Sequence, residues 1–256
     1  MSNINDSYFD GYYKEIWRNI IPDILTEREI NFILSHFQLK PGDKVLDLMC
    51  GYGRHALALA EKGITVTAID NLIAYTNEIE DTARQKVLPV RVFTGSVLQL
   101  EEMVKNEVEG VRGFDLVICM GNSLNFFNPQ ELERLLVQVS HVLKSGGHFL
   151  VNSWSIAEIA FRNFKERTEQ NLGGYRFITE AKKLFGPNRI EIITTMIPGA
   201  GDPETKTAID YVYSIEELTA LFKKSGLSLV EVFSIPGKKM FAEGEPRAYM
   251  ISKKVN

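Results

Sequence analysis

Apolar and polar positions along the chain switch between two spacings, and the switching outlines an α/β protein. Ile30, Ile33, Leu34 and Phe37 recur three and four residues apart, which lines one face of a helix. Thr26 and Glu29 ahead of them have the spacing of a capping box, so the first forty residues are predicted as helices that end at Pro41-Gly42. Lys44 to Leu48 is then a short apolar strand, followed by a glycine turn and a helical run from Ala56 to Lys62. The unit repeats with a strand at Thr65 to Ile69, a helix from Leu72 to Gln85 and a strand at Val90 to Thr94. After a polar, acidic stretch come a fourth strand, Phe114 to Cys119, and a helix capped at Asn128-Pro129-Gln130-Glu131 that runs to about Leu143. Gly146-Gly147 separates that helix from a fifth strand, His148 to Asn152.

Beyond the fifth strand the rhythm changes. Ser155 to Gln170 is predicted as a helix, and Tyr175 to Leu184 and Arg189 to Ile197 as a hairpin joined through Gly186-Pro187-Asn188. With a strand at Ala208 to Tyr213, these form an antiparallel β insertion. A helix capped by Ser214 and Glu217 and stopped at Gly226 follows, then strands Leu227 to Ser234 and Arg247 to Ser252 with no helix between them. A parallel pair needs a crossover of roughly a dozen residues, so this last pair is predicted antiparallel. The fold class is therefore α/β: a Rossmann-like seven-stranded sheet, mostly parallel with an antiparallel final strand, helices on both faces and a β insertion after strand five. The organisation expected is an N-terminal helical lid (1–43), a core (44–154 and 214–256) and a substrate lid made of a helix and antiparallel β (155–213).

Composition narrows the chemistry. Apolar residues make up 45% of the 256 positions and charged residues 24%, enough for a sizeable core. The net charge of −4 offers no basic footprint for nucleic acid. Cys50 and Cys119 are far apart and form no CxxC pair, so neither a metal site nor a disulfide framework is expected. No signal peptide and no apolar run long enough for a membrane span is recognisable, and a cytoplasmic location is expected.

In open α/β sheets ligands sit beyond the carboxyl ends of the strands, where the strand order reverses. Residues 47–56 occupy the first such turn. Gly51 and Gly53 remove β-carbons that would hold a ligand off the backbone, and each tolerates positive φ. Gly51, Gly53 and Ala56 also satisfy G-x-G-x-x-A, with Asp70 at roughly the 20-residue spacing of a dinucleotide site, so an NAD(P)-dependent oxidoreductase fits this turn as well. Asp47 in the strand and Cys50 before the first glycine are features a dinucleotide fold does not need.

With Asp47, the Cys50-Gly51-Tyr52-Gly53-Arg54-His55 turn, Asp70, Phe114-Asp115 and Leu143-Lys144-Ser145-Gly146-Gly147, the chain from about Val45 to Lys254 resembles class I S-adenosylmethionine-dependent methyltransferases. It is most similar to the small-molecule group with a Cys-Gly-x-Gly-Arg-His turn. The resemblance implies S-adenosylmethionine as cofactor, S-adenosylhomocysteine as product, no metal, and transfer of the methyl group to N, O or C of a small-molecule acceptor. It implies that Asp47 faces the methionine ammonium, that the Gly51 to Gly53 backbone, with Cys50, passes beneath the cofactor, and that Asp70 takes the ribose hydroxyls beside Asn71. Ser96 and Val97 would flank the adenine, and Met120 would complete the cofactor seat. Met49 departs from the motif's first glycine and is expected in an extended conformation. Ser96 departs from the acid that often receives the adenine amino group.

Candidate groups for the transfer itself are few. His55 and Asn122 are the candidates for a catalytic role, though His55 at a helix start also fits a packing role. Tyr13, Trp17, Asn122, Trp154, Tyr211 and Arg247 are candidates for the acceptor pocket, as aromatic walls, polar anchors and a partner for an acidic group. Monomer and homodimer both fit the sequence. A protein that binds the cofactor without transferring from it is the second alternative.

Overall fold

The computed structural model describes residues 3–105 and 113–255; part of the acidic stretch expected before the fourth strand, 106–112, lies outside them. Two helices lead the chain, α1 (Tyr12–Ile20) and α2 (Asp23–His36). Strands β1 (Lys44–Leu48), β2 (Thr65–Asp70), β3 (Val90–Thr94), β4 (Phe114–Cys119) and β5 (Leu143–Ser153) alternate with α3 (Arg54–Ala60), α4 (Ile73–Lys86), α5 (Leu100–Val104) and α6 (Pro129–Val142). After a single turn, α7 (Ala157–Ala160), four strands follow: β6 (Arg167–Leu172), β7 (Tyr175–Leu184), β8 (Arg189–Ile197) and β9 (Glu204–Tyr211). The chain closes with α8 (Ile215–Lys224), β10 (Leu227–Ile235), a two-residue β11 (Lys239–Met240) and β12 (Ala248–Lys254).

The main sheet has the order β11-β10-β12-β5-β4-β1-β2-β3. Pairings among β1 to β5 are parallel, and β12 is antiparallel to both β5 and β10, as expected. It contains eight strands rather than seven because β11, paired to β10 at the edge, escapes a hydropathy reading at two residues. Central strands buried on both faces need apolar side chains on both, which is why Val45, Leu46 and Leu48 of β1 and Leu116 to Cys119 of β4 are apolar and buried. One face packs Leu46, Val117, Phe149, Leu132, Leu136 and Phe222; the other packs Val45, Leu116, Leu150, Ile33 and Leu59.

Three local expectations change. Ser155 to Gln170 is not a helix: it contains only the one-turn α7 and then β6, whose alternation is masked by charged and polar residues on both faces of a largely exposed strand. The second sheet is therefore four-stranded and antiparallel, β6-β7-β8-β9. Thr26 and Glu29 do not form a capping box, because α2 starts earlier, after Pro22, and both residues lie inside it. Met49 is not extended but left-handed, with φ 52°, the conformation a glycine takes without strain.

The N-terminal residues run across the carboxyl ends of the strands. Asn3 caps a 3-10 turn at Ile4–Ser7 and donates to the Phe126 carbonyl, while Asn5 exchanges hydrogen bonds with the Ile209 backbone in β9. Ile16 of α1 packs on Phe177 and Met196 of the second sheet. A cavity lies between this layer and the main sheet.

Candidate functional site

The cavity has a volume of about 470 Å³ and lies at the carboxyl ends of β1, β2 and β4, beside the point where the order reverses between β1 and β4. Of the residues named for a cofactor, Asp47, Cys50, Gly51, Asp70, Asn71, Ser96, Val97 and Met120 all line it. Gly53 does not. Its φ of 79° caps α3, and a β-carbon there would fall 2.6 Å from the Ile79 side chain, so this glycine serves helix packing. Gly51 is different: φ is 55° and nothing lies within 4 Å of where a β-carbon would project, which leaves its backbone open to the cavity.

Asp47 sits at the floor, buried on β1. Its carboxylate accepts from the Ala56 amide, while Oδ2 has no hydrogen-bond partner among the described residues. Burial holds this carboxyl up at about 7, against the pull of the Arg54 guanidinium, and the Asp70 charge adds to the rise. A buried carboxylate oxygen without a donor is costly unless a ligand supplies one.

Asp70 has two jobs. Oδ2 accepts from the Gly51 amide at 2.9 Å and Oδ1 from the Leu72 amide at 2.9 Å, so the carboxylate braces the glycine turn against the start of α4. Burial raises its pKa and the amides of Leu72, Gly51 and Asn71 oppose the rise. Each oxygen retains a lone pair for a further donor. Asn71 donates to Asp6 at 2.6 Å, which ties the cavity's second strand to the N-terminal turn. Ser96 accepts from the Leu98 amide and starts a short turn whose Val97 is buried, so the pair forms a wall rather than a charged receptor.

His55 belongs to a buried network that the sequence did not reveal. Glu29 of α2 accepts from Arg54 at 2.6 Å, His55 Nε2 at 2.9 Å and Tyr249 at 2.7 Å. Burial works against ionising Glu29, but the His55 hydrogen bond and the His55 and Arg54 charges outweigh it and bring the carboxyl down to about 2. Burial and the Arg54 charge lower His55 to about 4, with Glu29 pulling the other way, so His55 is a neutral donor at pH 7. The network clamps α2 to the glycine turn and to β12. Its sequence signal is an acid on the apolar face of α2, at a spacing that also fits a cap.

Asn122 is not available for chemistry. It sits at φ 74° after β4, its Oδ1 accepts from Ser153 Oγ and the amides of Trp154 and Ser155 at 2.9 Å, and Nδ2 donates to Ser155 Oγ at 2.8 Å and to Asp210 Oδ2 at 3.4 Å. With every position engaged, it stitches the β4 turn to the end of β5. Tyr211 also leaves the site: its ring packs on the main core and it does not line the cavity. Tyr13, Trp17, Trp154 and Arg247 do line it, and the two indoles stack with centroids 6.4 Å apart at 23°. Phe9 of the N-terminal aromatic cluster lines it too, and so do Asn3, Asn5 and Asp6, whose one signal in the sequence is the capping-box spacing of Asn3 and Asp6.

Residues 45–147 match the family model described as a methyltransferase domain. Human glycine N-methyltransferase is 27% identical over 162 residues, covering 57% of this chain and 53% of its own length. The chain thus spans little more than half the length of the curated relatives it matches first. Among solved structures, the CcbJ methyltransferase from Streptomyces caelestis superposes with a TM-score of 0.80 at 16% identity, over 100% of this chain and 99% of that one. An amino pentose methyltransferase from Micromonospora echinaspora, solved with S-adenosylmethionine bound, gives 0.69 at 17% identity over 96% and 98%. Residues 45–147 are therefore similar to a methyltransferase domain, within a chain that as a whole has the same fold as these solved methyltransferases.

Proposed function

We propose that the protein is an S-adenosylmethionine-dependent methyltransferase acting on a small-molecule acceptor, with Asp47, Gly51, Asp70, Asn71, Ser96, Val97 and Met120 forming the cofactor seat. The observation that carries this reading is the buried, undonated Oδ2 of Asp47 beside the open Gly51 backbone, in a cavity with a second carboxylate, Asp70, one strand away. An ammonium meets the need of Asp47, and neighbouring hydroxyls meet the remaining lone pairs of Asp70. The neutral Ser96–Val97 wall suits a flat apolar ring with edge polarity.

When bound, S-adenosylmethionine supplies a methyl group on a good sulfonium leaving group. The residues of this chain then have to align the acceptor and keep water out. Phe9, Tyr13 and Trp17 of the N-terminal layer and Trp154 beyond β5 close the cavity, the role of a lid. His55 and Asn122 are both committed to internal hydrogen bonds, so the proposal gives neither a proton-transfer role. The acceptor is drawn from small metabolites, as it is for the glycine and amino pentose enzymes named above.

Calorimetry with S-adenosylhomocysteine on the full chain tests the reading. Binding with one site per chain and no binding of NAD is the expected result, followed by transfer of labelled methyl to members of an acceptor panel. Binding of NAD with none of S-adenosylhomocysteine refutes it.

A further inference from the structure

We infer that the acceptor of this enzyme carries an oxyanion, held by Arg247, joined to a flat body that packs on the indoles of Trp17 and Trp154; the inference rests on the cavity being the methyl-transfer site. Arg247 immediately precedes β12, whose Ala248 pairs with Ser153 of β5, so the antiparallel register carries Arg247 alongside Trp154. Both line the cavity, and Trp17 reaches them from α1. A cation and two aromatic surfaces thus converge on the part of the cavity nearest β5 and β12, away from the Ser96–Val97 wall that follows β3.

The charges of the cavity explain why Arg247 is the group that selects. Arg54 is neutralised within hydrogen-bond distance by Glu29. Asp6 is engaged by the Asn3 amide and Asn71, and Glu131 caps α6 through Asn128. Asp47 and Asp70 face the cofactor seat. Arg247 interacts with the Tyr249 hydroxyl, which donates its own hydrogen bond to Glu29 Oε1, and no carboxylate among the described residues forms an ion pair with Arg247. A planar guanidinium offers five N–H donors in a fork that fits a carboxylate or phosphate in bidentate fashion, so one hydroxyl leaves most of that capacity for a ligand. The neighbouring indoles supply flat apolar area and lower the local dielectric, which strengthens a charge-assisted pair formed beside them.

The test uses the full chain saturated with S-adenosylhomocysteine and matched pairs of flat compounds, 2-aminobenzoate against 2-aminobenzamide and indole-3-acetate against indole-3-acetamide, titrated by calorimetry. The carboxylate of each pair is expected to bind about tenfold or more tightly than its amide. Arg247→Ala should erase that preference while S-adenosylhomocysteine affinity stays within about twofold, and Arg247→Lys should restore part of it. Trp154→Ala should weaken both members of a pair alike. Equal binding of acid and amide, binding of neither, or an acid preference that survives in Arg247→Ala overturns the inference. Loss of S-adenosylhomocysteine affinity in Arg247→Ala does so too, by moving Arg247 to the cofactor seat. Failure of the wild-type chain to bind S-adenosylhomocysteine in the first titration strikes the methyltransferase reading instead, and is seen before any acid is added.

Discussion

Replacing Asp47 by Asn gives the sharpest test of how the cavity floor is built. Burial raises the Asp47 carboxyl to about 7 from its ordinary 3.8, with Arg54 opposing and Asp70 reinforcing. A folded-state pKa above the unfolded one means that the folded chain holds its proton longer. Stability linked to Asp47 is therefore fully present below the unfolded value and is lost as pH climbs through the folded one, between about 4 and 7. At 1.36 kcal/mol for each pH unit separating the two values, charging Asp47 in the cofactor-free protein costs on the order of 4 kcal/mol by pH 8. Asp47→Asn keeps the shape and removes the charge. Urea unfolding of both proteins without cofactor, at intervals from pH 4 to 8, should show the variant close to wild type at pH 4 and gaining on it by several kcal/mol at pH 8. Titrating groups that do not interact with Asp47, such as Asp210 and Glu29, behave alike in both chains and cancel in the difference. The gain in stability should come with a loss of S-adenosylhomocysteine affinity of about tenfold or more, because the variant presents an amide where a carboxylate meets an ammonium. Parallel stability curves across the whole range, or an unchanged affinity, would refute the reasoning.

Other substitutions separate structural from binding roles. Gly51→Ala should leave the unfolding midpoint nearly in place, at a cost of about 1 kcal/mol for its positive φ, yet weaken S-adenosylhomocysteine binding, whereas Gly53→Ala should lose about 2 kcal/mol or more by driving a methyl into Ile79, as read by chemical denaturation. Glu29→Gln breaks a buried cluster holding Arg54, His55 and Tyr249 and should cost roughly 3 kcal/mol at pH 7. Because Glu29 is lowered to about 2, that difference should shrink as pH falls below the ordinary carboxylate value toward 2, measured by thermal unfolding. Asn122→Ala should lower the unfolding temperature, destabilising by about 2 to 3 kcal/mol through its stranded partners in residues 153–155, while the kcat of the protein that remains folded stays within about twofold of wild type.

Much of the cofactor side was legible in the residues themselves, because it depends on short-range chemistry. The alternation of strands and helices from Lys44 to Val142 follows from local periodicity, and the turn after β1 needs small residues and strand-end acids that stand close together in sequence. Gly51 and Asp70 follow from spacing, as does the antiparallel finish of the sheet, whereas Asp47 and the Ser96–Val97 wall follow from the resemblance to class I methyltransferases. What spacing could not assign was which contacts each residue spends internally. Gly53 is needed by Ile79, 26 positions on, rather than by a ligand. Asn122 is consumed by residues 153–155, and His55 by Glu29 on a helix whose true start hid that acid inside a false cap. Met49 adopts a left-handed backbone that its side chain disfavours, because the strand–turn–helix geometry around it overrides local preference. The proposed acceptor end is tertiary throughout: Trp17, Trp154 and Arg247 come from three distant segments, which meet because β12 runs antiparallel beside β5 and Trp17 of α1 stacks on Trp154. Sequence alone determined the parallel core and the chemistry of its first turn, which are set by contacts local in the chain. The tertiary structure alone decided which polar groups stay free for a ligand, because a hydrogen bond made to a residue a hundred positions away leaves no periodic trace.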